Sequence, residues 1–270
     1  MQTKLLCTQN NRGSMKTHNF FNLFLASFLL LSLDTHALVL EDLVKNNKLH
    51  FMLQNKRVGY YIGSFDPIHK GHEEIAKNVL AENLCDYVII YPSWGGDSYK
   101  QRASVDLRLE MLFALFKEHP QIIVTRYPPK VLQNTLTQKT SKNAMVPKFN
   151  GLEFLGVVGS DTALMLTPNM DSSIAFMAGS VISPEHENHT WGGCIALPVS
   201  SFIVSMRAGD DLSSLQGRVG GRKIVKTITI KQYDEASSTL VRDLLKQQQA
   251  ADKWLSKPVI KIIQENKLYQ

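Results

Sequence analysis

Cysteine is scarce in this chain: Cys7, Cys85 and Cys194 lie far apart, with no metal-type spacing and too few partners for a disulfide framework. No internal repeat or low-complexity tract appears, so nothing points to a repeat architecture. There is no dense Lys/Arg stripe interleaved with aromatics, and no nucleic-acid partner is expected. No apolar run reaches the roughly 20 residues that a membrane-spanning helix needs.

What is present is globular. The 270 residues are 44% hydrophobic and 20% charged, enough for one large domain or two small ones. Residues 1–37 carry three basic residues (Lys4, Arg12, Lys16) and one acid (Asp34), which leaves +4 of the formal +6 on the remainder. That mild basicity suits small anionic substrates. Within residues 1–37, the apolar run Phe20–Leu33 follows Lys16 and precedes Asp34-Thr35-His36-Ala37. Basic flank, apolar centre and small terminal residue describe a secretory leader cleaved near Ala37. Export, as a periplasmic or secreted protein, is therefore the expected localisation. A retained anchor and a cytoplasmic protein with an unused leader are the alternatives. Residues 38–56 read as a short helical or irregular lead-in, and 57–270 as the main domain.

The chemistry begins at "RVGYYIGSFDPIHKGHEEIAKNVL". Arg57–Ile62 reads as a buried strand, Gly63, Asp66 and Pro67 break it, and Ile75, Val79 and Leu80 recur at helical spacing from His72 onward. A strand, a glycine-bearing turn and a helix aim free N–H groups and a positive dipole end above the strand. A phosphate is the natural occupant. His69 and His72 flank the junction and can donate hydrogen bonds to phosphoryl oxygens, with Gly71 leaving room for close approach. With no third ligand nearby, the pair holds no zinc. Taken alone, one histidine as a cap and the other solvated is the simpler reading.

Further along, "CDYVIIYPS", "QIIVTR", "FLGVVGSD", "SFIVSMRAG" and "KTITIKQY" read as strands, several without polar alternation, and "VDLRLEMLFALFKEH" as an amphipathic helix. Alternating strands and helices predict an α/β fold: a Rossmann-like parallel sheet with helices on both faces. Two stretches, 127–152 and 167–200, read as irregular loop insertions. Ser238 and Thr239 stand before the amphipathic run Leu240, Leu244, Leu245, so they mark a second helix start, with Arg242 one turn on as a forked cation. Two anion-binding helix ends suit a triphosphate.

In this order the motifs resemble the H-x-G-H nucleotidyltransferase superfamily, and within it the nicotinate/nicotinamide mononucleotide adenylyltransferases. "GSFDPIHKGH" is similar to that family's first motif throughout, and "ASSTLVRDLL" to its second. "ASVDLRLEML" resembles the segment after a phosphate-loop lysine, here Lys100. "GSD" resembles a Gly-Ala-Asp turn, "FIVSMRAG" a strand ending in Arg-Pro-Gly (with Ala208 replacing proline), and "PVIKIIQENKLYQ" the last helix. No Ser-Tyr-Thr segment precedes Gly159–Asp161, and no tryptophan follows it until Trp191.

The resemblance implies adenylyl transfer from ATP to a mononucleotide phosphate. His69 and His72 would hold the α-phosphate, and Lys100, Ser238, Thr239 and Arg242 the β- and γ-phosphates. Asp161 would hold ribose, with Gly63, Ser64, Phe65 and Ser237 completing the ATP site and Mg²⁺ arriving with ATP. His69, His72, Lys100 and Arg242 are the candidate catalytic residues. Two alternatives stay open: nucleotidyl transfer to another phosphorylated acceptor, and an exported nucleotide-binding protein without turnover.

Overall fold

Apolar runs without polar alternation need cover on both faces, and the sheet supplies it. The structure, a computed structural model, describes residues 38–93, 102–127, 129–165 and 198–270. In chain order the elements are β1 (Leu38–Val39), α1 (Leu40–Lys45), α2 (Leu49–Leu53), β2 (Arg57–Gly63), α3 (Lys70–Ala81) and β3 (Tyr87–Pro92). Next come α4 (Val105–Leu115), β4 (Ile122–Val124), α5 (Pro129–Leu136), β5 (Thr137–Lys139), β6 (Met145–Pro147), β7 (Glu153–Gly159) and α6 (Ser160–Met165). The last are β8 (Val199–Met206), β9 (Arg218–Val219), β10 (Arg222–Thr229), α7 (Ser238–Lys246) and α8 (Lys257–Glu265).

The eight-stranded sheet runs β1-β4-β3-β2-β7-β8-β10-β9, parallel throughout except for the short β9–β10 pairing. This is the expected Rossmann-like arrangement. Strand β2 explains its own centrality. Val58, Tyr60 and Ile62 pack on one face with α1, α2 and α5, while Tyr61 packs on the other with α3, α4, α7 and α8. Gly59 has no side chain because a Cβ there would lie 3.1 Å from Cys85 Sγ and 3.2 Å from Val157. From β2 the chain winds outward to β3 and β4, then returns to place β7 on β2's other edge. Strand order reverses between β2 and β7, and above such a reversal a crevice opens at the strands' C-terminal ends.

One expectation is extended and one needs correction. Residues 38–56 are helical over much of their length, as one of the two expected forms, and are also part of the core: β1 joins the sheet, and Leu40, Leu43, Leu49 and Leu53 are buried. At about 1.5–3 kcal/mol per buried leucine, their burial rivals the net stability of a whole domain. The 127–152 stretch, expected to be irregular, is not: α5 and the antiparallel β5–β6 hairpin occupy most of it. Most of 167–200, residues 1–37 and Lys100 lie outside the described residues. No helix among the described residues is long and apolar enough to cross a membrane.

Candidate active site

At the β2/β7 reversal, Gly63 ends one strand and Gly159 the other, and both line a cavity of about 200 Å³. Ser64, His69, His72, Ser160, Asp161, Ser205 and Arg207 share its wall. Five of the residues singled out from sequence, Gly63, Ser64, His69, His72 and Asp161, thus converge on one space.

The histidines owe their positions to helix α3. His69 is its N-cap and His72 its third residue, the spacing of a capping box. The contact with hydrogen-bond geometry runs from the His69 backbone N–H to His72 Nδ1 (3.4 Å). His69 Nδ1 is buried without a hydrogen-bond partner. The rings stack at 3.7 Å between centroids, and His69 is only 4% exposed. Burial first, and then the Arg207 charge, push the His72 pKa down to about 3. The same burial, with His72 and Arg207, pushes His69 well below the ordinary imidazole value. Both rings are therefore neutral at pH 7. With His72 Nδ1 accepting, its proton sits on Nε2, so the ring is a donor there.

Three neighbours hold this arrangement. The Phe65 ring meets His72 edge-on (5.0 Å, 81°) and Tyr61 likewise (5.3 Å, 85°). Phe65 is fully buried and lies behind the histidines, so its side chain is a support rather than part of the cavity wall. Its φ of +48° falls in the left-handed region, a local strain fixed by that packing. Gly71 lines the cavity and is also constrained by packing: a Cβ there would lie 3.1 Å from the His69 ring and 3.1 Å from the Tyr233 carbonyl oxygen.

The second motif sits alongside. Ser237, not Ser238, is the N-cap of α7, its hydroxyl accepting from Leu240 N–H (3.0 Å). The Ser238 hydroxyl donates to the Pro67 carbonyl (3.0 Å). The Arg242 fork donates to the Asp66 carbonyl (2.6 Å) and to the Thr239 hydroxyl (3.1 Å). Helix α7 is thus tied directly to the Asp66–Pro67 turn that leads into the histidines. Ser237, Ser238, Thr239 and Arg242 flank the cavity through this turn and do not line it.

The cytidylyltransferase-like family profile matches residues 60–244, more than half of the chain and inclusive of both motifs. The chain belongs to the cytidylyltransferase-like family. It is 27% identical over 223 residues to the probable nicotinate-nucleotide adenylyltransferase of Clostridium botulinum, a match covering 80% of this chain and 98% of that one. The probable nicotinate-nucleotide adenylyltransferase of Endomicrobium trichonymphae is 26% identical over 218 residues, covering 79% and 99%. Among solved structures, the Plasmodium falciparum nicotinic acid mononucleotide adenylyltransferase complexed with NaAD shares the fold. It matches with a TM-score of 0.50 and 19% identity, over 79% of this chain and 97% of that one.

For a cytidylyltransferase-like site, four participants escaped the sequence reading. Arg207 lines the cavity and biases both histidines. Asp66, 1% exposed, accepts from Ala103 N–H (3.0 Å) and from the hydroxyl of Tyr269 (2.6 Å). Arg108, 3% exposed, donates to the Ser64 carbonyl (2.6 Å) and, through Nε, to the Ala103 carbonyl (3.1 Å). Only the "FIVSMRAG" likeness pointed toward Arg207. Arg108 stood inside an amphipathic pattern in which a polar side chain is ordinarily solvated, and only the likeness of "PVIKIIQENKLYQ" to the family's last helix and its Leu-Tyr ending pointed toward Tyr269.

Proposed function

We propose that this protein transfers the adenylyl group of ATP to nicotinate mononucleotide, forming the dinucleotide and releasing pyrophosphate. The stacked, neutral His69–His72 pair at the sheet's reversal, facing Arg207 and adjoining the Arg242 helix, carries this reading. An oxygen of the acceptor's 5′-phosphate attacks the α-phosphorus. The bond from α-phosphorus to the bridging oxygen breaks, and that oxygen leaves with pyrophosphate. The attacking group is already anionic, so no protein nucleophile is required. Positioning and charge stabilisation carry the step. His72 Nε2–H donates to an α-phosphate oxygen, a bond that strengthens as charge develops there. Neutral rings avoid repulsion from Arg207 before ATP arrives, while Arg207 and the α3 dipole supply the positive field. Arg242, with Thr239, holds the outgoing pyrophosphate, joined by Lys100. Asp161 holds ribose hydroxyls.

The donor set fits a Mg²⁺ that arrives on the triphosphate. The buried carboxylate nearest the phosphate-binding turn, Asp66, is already engaged by Ala103 and Tyr269, and the described residues contain no cluster of three or more acidic, His or Cys ligands. Phosphate oxygens and water would be its ligands, and it would offset triphosphate charge.

Names of the relatives support nicotinate mononucleotide as acceptor. The test is pyrophosphate release from ATP with a panel of acceptors: nicotinate and nicotinamide mononucleotides, phosphopantetheine and a polyol phosphate. Turnover highest with nicotinate mononucleotide, with the dinucleotide seen by mass, is the expected result. Preference for a non-pyridine acceptor overturns it. We also propose export, with a mature chain starting near Leu38. Cleavage after Ala37 would remove none of the described strands. N-terminal sequencing of the protein from a secreting host tests this, and an intact Met1, or Met15 should translation start there, on cytoplasmic protein refutes it.

A further inference from the structure

Asp66 is a buried carboxylate with more cationic neighbours than its hydrogen bonds use. Its Oδ1 accepts from Ala103 N–H and from the Tyr269 hydroxyl, at 3.0 and 2.6 Å. Its Oδ2 stands 3.8 Å from an Arg242 guanidinium nitrogen, too far for a hydrogen bond. That same nitrogen donates instead to the Asp66 backbone carbonyl at 2.6 Å. Arg242 is therefore beside a carboxylate without being captured by it.

Tyr269 makes the difference. It follows α8, far from the cavity in sequence, and its backbone has φ +62°, a left-handed conformation uncommon for a ring-bearing residue. Such strain persists only where surroundings over-determine it, and it points to a job for the side chain. Burial and the Asp66 hydrogen bond both push the phenol's pKa up, so it stays a donor at any working pH.

We infer that Tyr269 is a positioning residue for the triphosphate site: by fixing the Asp66 carboxylate on Oδ1, it keeps the 3.8 Å Arg242–Asp66 ion pair from tightening into direct hydrogen bonds and leaves that guanidinium available to phosphate. This rests on the ATP reading above. A buried carboxylate that loses one hydrogen bond must find another donor, since water does not reach a group 1% exposed. The adjacent candidate is Arg242. Its Nη1 already stands 3.8 Å from Oδ2, and the guanidinium keeps N–H donors beyond the two given to the Asp66 carbonyl and Thr239.

The experiment is ATP binding to the full chain by calorimetry, with steady-state kinetics alongside, for wild type, Tyr269→Phe, and Tyr269→Phe combined with Asp66→Asn. Calorimetry with ATP needs neither acceptor nor turnover, so a wrong acceptor would leave this test standing. Tyr269→Phe is expected to weaken ATP binding about tenfold, the scale of one lost hydrogen bond to a charged group. KM for ATP rises with it, while kcat stays within about threefold. Asp66→Asn removes the charge that would draw Arg242, so the double variant recovers most of the lost affinity, a non-additivity diagnostic of coupling. A merely structural Tyr269 gives the opposite pattern: a lowered thermal midpoint, a reduced active fraction with unchanged KM, and no rescue. Unchanged ATP affinity in Tyr269→Phe, or a double variant no better than the single, overturns the inference.

Discussion

Gly71→Ala separates packing at this site from stability. The glycine has no left-handed φ and lies in the first turn of α3, so alanine meets no backbone strain there. Helix propensity by itself favours alanine by up to about 1 kcal/mol. Its Cβ would stand 3.1 Å from His69 Nδ1 and Cε1 and 3.1 Å from the Tyr233 carbonyl oxygen, so a neighbour must give by a few tenths of an ångström. His69 cannot yield toward His72, already stacked at 3.7 Å, and is driven instead toward the cavity. A displaced donor loses part of the roughly 10²–10³-fold that one such group supplies, so kcat should fall by roughly 10- to 100-fold. The thermal midpoint should stay within about 2–4 °C of wild type, the shift that about 1 kcal/mol gives in a domain of this size. Initial rates of pyrophosphate release and a thermal melt measure both. A variant with kcat within about twofold of wild type would refute the reasoning, because the histidine pair would then tolerate the displacement.

Three further outcomes are expected. His72→Ala should lower kcat by about 10²-fold or more with ATP affinity within a few-fold, and near-normal kcat in single-turnover assays would remove His72 from the mechanism. Arg242→Lys keeps charge but loses the fork, so KM for ATP should rise and turnover slow; full tolerance would reduce Arg242 to a structural residue. In the folded protein His72 resists protonation down to about pH 3, whereas the unfolded chain takes that proton near 6.5. The unfolded state therefore binds more protons between those values. Stability is fully present above about pH 6.5 and declines as pH falls, by about 1.4 kcal/mol per pH unit for each such histidine. Urea midpoints from about pH 7 to 5 should fall more steeply for wild type than for His72→Asn, and equal slopes would contradict a buried neutral ring.

The sequence showed the central sheet because parallel strands covered on both faces leave unmistakable apolar runs, as in Val88-Ile89-Ile90. It showed the histidine turn because strand, breaker and helix follow one another within Arg57–Ala81. Two-residue β1 and the 129–147 helix and hairpin were not legible. Their local patterns are weak, and tertiary contacts decide them: Leu40 and Leu53 are buried by packing against the sheet face that also carries Tyr60. The buried polar residues were hidden for a related reason. Arg108 sits on an amphipathic helix and Tyr269 beyond another, and only the fold brings them to Ser64 and Asp66. A sequence pattern cannot distinguish a solvated arginine from one whose donors are consumed by two carbonyls. The second motif's helix start was legible at Ser238 and Thr239, but not that Ser237 caps α7 or that Ser238 ties it to Pro67.

The central claim is that the paired histidines act on the α-phosphorus of ATP. Its most direct test is a label-transfer experiment on the full-length protein with nicotinate mononucleotide and ATP labelled in either the α- or the γ-phosphate. Label from the α position should appear in the dinucleotide product, and label from the γ position should leave entirely as pyrophosphate. Transfer of the γ label to the acceptor, or ATP bound without release of either label, would contradict adenylyl transfer at this site.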